Sequence, residues 1–212
     1  MNILFDLDGT LTDPRDGIVR CIQYALERLG LEPRPDRELL HYIGPPLRES
    51  FSELLNTTDE FALTHAVNIY RERYSTIGLL ENEVYAGIPE ALSALRGRGD
   101  RLFVATSKPG LYAQQILEHF GLAGYFLNIW GCELDGTRAD KGELIAHLLE
   151  RERLRPGDTV MIGDRLHDAV GARANGVMPV GVLWGYGDEA ELTSAQCKLL
   201  VRAPEELTRL AI

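Results

Sequence analysis

The sequence predicts an α/β protein, a parallel sheet flanked by helices and interrupted early by a helical insert. Three observations carry that expectation. Short apolar runs recur along the chain, helical patterns fill most gaps between them, and one long interval shows no strand.

The apolar runs are Ile3–Phe5, Leu102–Ala105, Ile129–Trp130, Val160–Ile162 and Val180–Leu183. Each is too short for a helix and none alternates apolar with polar, as expected of strands covered on both faces. Between Phe5 and Leu102 only helices are expected. Asp13 is placed to cap, and Pro14 to open, a helix with Ile18, Ile22, Ala25 and Leu29 inward, ending at Gly30. A second short helix starts at Asp36 and stops at Gly44-Pro45-Pro46. Leu47–Leu55 makes a third. Asp59 caps a fourth, with Ala62, Ala66, Ile69 and Arg73 on one stripe. A helical block of about 70 residues between the first two strands of a sheet reads as an inserted domain. The expected organisation is a core of residues 1–13 and 85–212 with a helical domain of residues 14–84. Downstream, Leu111–His119 and the Leu144, Leu148, Leu149 pattern are helical, and Asp168–Asn175 is closed by Gly176 as a natural C′ residue. Strands alternating with helices imply a parallel sheet.

Composition narrows the function. The 212 residues carry 22 Lys and Arg against 32 Asp and Glu, a formal net charge of −10. With 45% hydrophobic and 25% charged residues, the chain is neither collagen-like nor disordered. Its acidity argues against a nucleic-acid polymer as partner, since such binding draws on Lys and Arg. A phosphorylated small molecule stays open, because a metal ion can reverse the local field. Cys21, Cys132 and Cys197 are scattered and form no CxxC pair, so they read as buried or semi-exposed thiols in a reducing compartment. No run approaches the ~18 apolar residues of a membrane span. The first residues turn acidic too early for a signal peptide, so a cytoplasmic location is expected.

Four features carry chemistry. Asp6-Leu7-Asp8-Gly9-Thr10 follows the first strand, where ligands sit in open α/β sheets. Two residues apart on an extended backbone, Asp6 and Asp8 point the same way, and Gly9 lets a ligand approach the backbone. Paired carboxylates repel unless a cation lies between them or one is protonated. Val160-Met161-Ile162-Gly163-Asp164 ends another strand in an acid, with Asp168 four residues on. Such hard oxygen ligands suit Mg²⁺, although Asp168 is equally placed to cap the following helix. Val104-Ala105-Thr106-Ser107-Lys108 ends a strand in two hydroxyls and a cation; the hydroxyls and loop amides suit phosphate oxygens or an ordinary Ser/Thr turn. Lys141 precedes the Glu143–Leu149 helix and alone reads as a surface charge.

In chain order (acid pair, Ser/Thr after the second strand, Lys, then the strand-end acid pair), the four features resemble the motifs of the haloacid dehalogenase superfamily of aspartyl-phosphate hydrolases, over essentially the whole chain. The resemblance implies a Rossmann-like core with a helical cap of the C1 type inserted after the first motif, and Thr12 on the hinge side of that cap. It implies that Asp6 is the nucleophile and Asp8 the general acid, then base. Thr106 and the Ser107 amide would hold the phosphoryl group, with Gly9 and Lys141 beside it. Asp6, the Asp8 carbonyl and Asp164 would bind Mg²⁺, with Asp168 direct or through water. Asp8 itself favours phosphate chemistry, since the true dehalogenases of the family lack it.

The segments Ile43–Phe51, Ala105–Pro109 and Trp184-Gly185-Tyr186-Gly187 look like the phosphoglycolate phosphatase and 5′-nucleotidase branch, and lean towards the nucleotidases. Arg48 in the first segment is either an anion contact or an ordinary salt bridge. The resemblance implies a small phosphorylated metabolite as substrate, acted on by a monomer or homodimer. Phosphoglycolate phosphatase is the alternative; a phosphomutase or a non-catalytic phosphate-binding protein stands further off. A response-regulator receiver does not fit, because its phospho-accepting Asp follows a middle strand.

Overall fold

A computed structural model describes residues 1–210 of the chain. The fold divides into two compact units, Met1–Asp13 with the chain from Val84 onward, and Pro14–Glu83.

In the larger unit, β1 (Asn2–Phe5), β4 (Arg101–Pro109), β5 (Asn128–Cys132), β6 (Thr159–Gly163), β7 (Met178–Val182) and β8 (Leu199–Val201) form one sheet. Its order is β5-β4-β1-β6-β7-β8, and the neighbours pair in parallel. The helices of this unit are α5 (Ile88–Gly97), α6 (Gly110–His119), α7 (Lys141–Glu152), α8 (Leu166–Ala174) and α9 (Glu189–Ser194). Side chains alternate across a strand, so Leu4 and Ile3 serve opposite faces. Leu4, Phe103 and Met161 pack with Leu144, Ile145 and Leu148 of α7 and Ala172 of α8. On the other face Phe5 meets Phe126 edge-on at a centroid distance of 6.0 Å. Burial on both faces explains why these strands read as continuous apolar runs. The strand order turns at β1, with β4 on one side and β6 on the other. Ligands bind at such a switch point, outside the carboxyl ends of the strands.

In the smaller unit, α1 (Arg15–Arg28), α2 (Asp36–Leu39), α3 (Leu47–Leu54) and α4 (Glu60–Tyr74) succeed one another. Asp59 caps α4 as expected, accepting from the Ala62 amide at 2.8 Å. The start of α1 differs from expectation: Pro14 takes the cap position and no side chain caps it. Asp13 instead accepts from the Tyr186 hydroxyl. Leu26 is fully buried in α1 while Leu29 is half-exposed, because α1 ends at Arg28 and Leu29 belongs to its cap.

The interval between Phe5 and Leu102 is not purely helical. It holds two short strands, β2 (Thr12–Asp13) and β3 (Glu83–Val84), which form a two-stranded sheet. Two residues per strand leave no hydrophobic period to read. Among the described residues no helix is long and apolar enough to cross a membrane.

Candidate active site

Four segments converge at the carboxyl end of the sheet. Asp6 directly follows β1, and its amide donates to the Ile162 carbonyl of β6 at 2.9 Å. Asp164 directly follows β6, Thr106 lies near the end of β4, and Lys141 opens α7. Asp6, Asp8, Thr106, Lys141, Asp164 and Asp168 are all buried.

Lys141 is the hub. Its ammonium lies 2.8 Å from Asp6 Oδ1 and 2.8 Å from Asp168 Oδ1, and donates to the Ala105 carbonyl at 3.0 Å. Burial works to lower the ammonium's pKa, but Asp168 and Asp6 outweigh it and hold the group above its usual value. The lysine that reads as a surface charge in isolation is only 4% exposed at its side chain. Asp168 Oδ2 accepts from the Arg165 amide at the start of α8, as its capping reading expects, while Oδ1 faces Lys141.

The loop after β1 is shaped around Asp164. Gly9 has φ +83, and a Cβ there would stand 2.2 Å from Asp164 Oδ2. Only glycine meets both demands. Asp164 accepts from Thr10 Oγ1 at 3.3 Å and from the Tyr186 amide at 2.8 Å. Trp184 Nε1 donates to the Thr10 carbonyl at 3.0 Å. The Trp184–Gly187 segment therefore braces both the first loop and the acid after β6.

Lys108 is the residue that sequence reasoning did not place in the site. Its ammonium is 2.6 Å from Asp8 Oδ1, and the two side chains are 6% and 10% exposed. A signal was available: only 3 of the 22 basic residues are lysines, Lys108, Lys141 and Lys198. Lys198 is exposed, and the other two are in this site. A lysine ammonium is a compact point charge that fits between carboxylates where a guanidinium fork would not.

The donor set fits a hard divalent cation. Oxygens of Asp6, Asp164 and Asp168 lie within 4.8 Å of one another. With Asp8 this makes four buried carboxylates, of which Asp6 and Asp168 contact the Lys141 ammonium and Asp8 that of Lys108. The excess negative charge shows in the acids. Burial, then the charges of Asp168 and Asp6, push Asp164 well above the usual carboxylate range. Burial pushes Asp168 up to about 6 despite Lys141, and raises Asp8 despite Lys108. Oxygen-only ligands of this charge suit Mg²⁺.

Arg48 belongs to the smaller unit, where it pairs with Glu60 and lies 3.4 Å from Thr64 Oγ1. The salt-bridge reading of this residue describes its contacts. Cys21, Cys132 and Cys197 are all buried and none forms a disulfide.

The family model for haloacid dehalogenase-like hydrolases matches residues 3–182. A 5′-nucleotidase from Pseudomonas aeruginosa is 54% identical over 195 residues, 92% of this chain and 88% of that one. A tyrosine-protein kinase, PtkA, from Mycobacterium tuberculosis is 43% identical over 187 residues, 87% of this chain but 62% of that protein. Among solved structures, a predicted phosphatase from Clostridium acetobutylicum superposes with a TM-score of 0.95 at 41% identity, covering 98% of this chain and 96% of that one.

Proposed function

This chain belongs to the haloacid dehalogenase-like hydrolases and is a phosphatase acting on small phosphorylated substrates; from that premise we propose a nucleoside 5′-monophosphate as its substrate. The observation that carries the mechanism is the buried contact of Lys141 with Asp6, which leaves a strand-end carboxylate beside a fixed cation. The substrate class is supported by the 5′-nucleotidase relative.

Asp6 attacks phosphorus, and the ester oxygen leaves with a proton from Asp8. Water then attacks the phosphoryl group on Asp6, gives its proton to Asp8, and Asp6 is restored as inorganic phosphate departs. One difficult displacement becomes two easier ones, and the Asp8 proton shuttle contributes about 10²–10⁴-fold. Thr106 Oγ1 accepts from the Lys108 amide at 3.2 Å, so its hydroxyl hydrogen remains to donate to a phosphoryl oxygen. The Ser107 amide and the bare Gly9 backbone serve the same group. Lys141 offsets charge on Asp6 and on the equatorial oxygens, and Asp168 holds Lys141 in place. Asp6, Asp164 and the Asp8 carbonyl would hold Mg²⁺, which supplies charge neutralisation for phosphoryl transfer when bound.

Residues 14–84 are assigned the part of the family's cap domain, with Thr12 at its boundary. The alternative substrate, phosphoglycolate, asks Arg48 to take a carboxylate, for which it would have to leave Glu60. Three cysteines outside any disulfide accord with a cytoplasmic setting.

The test is phosphate release from nucleoside 5′-monophosphates, phosphoglycolate, sugar phosphates and an aryl phosphate, with and without Mg²⁺, using Asp6→Asn as blank. The expected result is Mg²⁺-dependent release, fastest from the nucleotides. Preference for phosphoglycolate moves the assignment to that branch. Transfer from ATP to a tyrosine peptide without phosphate release would contradict the hydrolytic reading.

A further inference from the structure

We propose that Lys108 is a positioning residue that holds Asp8 by one carboxylate oxygen and so aims the other at the departing ester oxygen. The inference rests on the reading of Asp8 as general acid.

Three features show that Lys108 is built into place. First, β4 leaves its regular pairing here: Thr106 pairs with Gly131 and Pro109 with Cys132, so Ser107 and Lys108 stand outside the ladder. Bulges of this kind re-aim side chains and are common beside active sites. Secondly, the bulge is pinned at each of its residues. The Cys132 thiol donates to the Ser107 carbonyl at 3.0 Å, and the Lys108 amide donates to Thr106 Oγ1 at 3.2 Å. Gly131 makes the closure feasible, since a Cβ there would lie 2.4 Å from the Lys108 carbonyl oxygen. Thirdly, the ammonium reaches 2.6 Å to Asp8 Oδ1 across 100 residues of sequence.

The contact uses Oδ1, so Oδ2 is the oxygen that exchanges the proton. A general acid held at one oxygen has a fixed second oxygen, and geometry of this kind decides its efficiency. Lys141 already serves Asp6, so the two lysines divide the site: one on the nucleophile, one on the acid. A phosphate clamp would serve every ester alike. A residue that aims the acid matters most where the leaving group needs a proton.

The experiment compares kcat/KM for an alkyl ester, a nucleoside 5′-monophosphate, with that for p-nitrophenyl phosphate and a series of substituted phenyl phosphates. This parameter reports the steps up to leaving-group departure. In Lys108→Met the alkyl ester is expected to lose about 100-fold, the low end of what a proton shuttle contributes. The p-nitrophenyl ester loses little, so the dependence on leaving-group pKa steepens. Lys108→Gln, which keeps a donor, serves where Lys108→Met does not give folded protein, and its losses follow the same pattern. Equal losses across the series, or none, overturn the proposal. Absence of phosphate release by the wild-type enzyme overturns instead the phosphatase reading beneath it.

Discussion

Lys141 Nζ lies 2.8 Å from Asp6 Oδ1, and both side chains are almost wholly withdrawn from solvent. The same ammonium faces Asp168 Oδ1 at 2.8 Å. Removing it leaves two buried carboxylates without their cation, which typically costs about 3–5 kcal/mol. Lys141→Met is therefore expected to melt well below wild type. Its turnover should fall about 10²–10³-fold, the usual cost of losing one preorganised electrostatic contact. Thermal melts beside a phosphate-release assay check both numbers.

Asp164 is held well above the usual carboxylate range by burial and by Asp168 and Asp6. The metal-free protein thus gains from neutralising it. Asp164→Asn should raise the metal-free melting temperature and abolish the response to Mg²⁺. At 100 times its Kd, a ligand stabilises the wild type by about 2.7 kcal/mol, which corresponds to roughly 5–10 °C for a chain of this size. Melting curves with and without Mg²⁺ give this difference directly. An Asn variant that still gains as much from Mg²⁺ removes Asp164 from the metal site.

Gly9 carries φ +83 and stands where a Cβ would press on Asp164 at 2.2 Å. Gly9→Ala should cost about 1–3 kcal/mol through backbone strain. It should also shift the Mg²⁺ dependence of the rate to higher concentration. A variant that is merely less stable, with an unchanged metal titration, would show that the loop does not set Asp164.

In the helical unit, Glu81 is paired twice with Arg73, at 2.6 and 3.0 Å, and with Arg20 at 2.8 Å. The hydrogen bonds from Arg73 lead in lowering its carboxyl from 4.5 to about 2. A carboxyl lowered by folding contributes stability above its unfolded value, lost as pH falls through the folded one. Wild type should thus lose on the order of 1–2 kcal/mol between about pH 4.5 and pH 2 that Glu81→Gln does not lose. Urea denaturation of both proteins across that range measures the difference.

The strands of the sheet were legible because burial on both faces writes them as apolar runs, and Asp59 announced α4 by its chemistry. The chain around β2 and β3 was not, since two residues carry no period. Nor were α5, α9 and β8 distinguished, where local pattern is weaker than tertiary packing. In the site, Asp6, Asp8 and Asp164 were readable from their places after strands, and Asp168 from lying four residues beyond Asp164. Lys141 needed the resemblance, because nothing local separates a buried lysine from a solvated one. Lys108 escaped because its role depends on a bulge in β4, and a break in strand register leaves no mark in one sequence. The scarcity of lysine among the basic residues was the clue.

The proposed reaction requires a phosphoryl group carried by Asp6. Enzyme and substrate mixed with Mg²⁺, quenched rapidly and treated with borohydride convert an acyl-phosphate to an alcohol, so mass spectrometry of the peptide around position 6 decides the matter. Homoserine is expected in place of Asp6, absent without substrate and absent in Asp6→Asn. Phosphate release at the wild-type rate by Asp6→Asn, or reduction at another carboxylate, would contradict it.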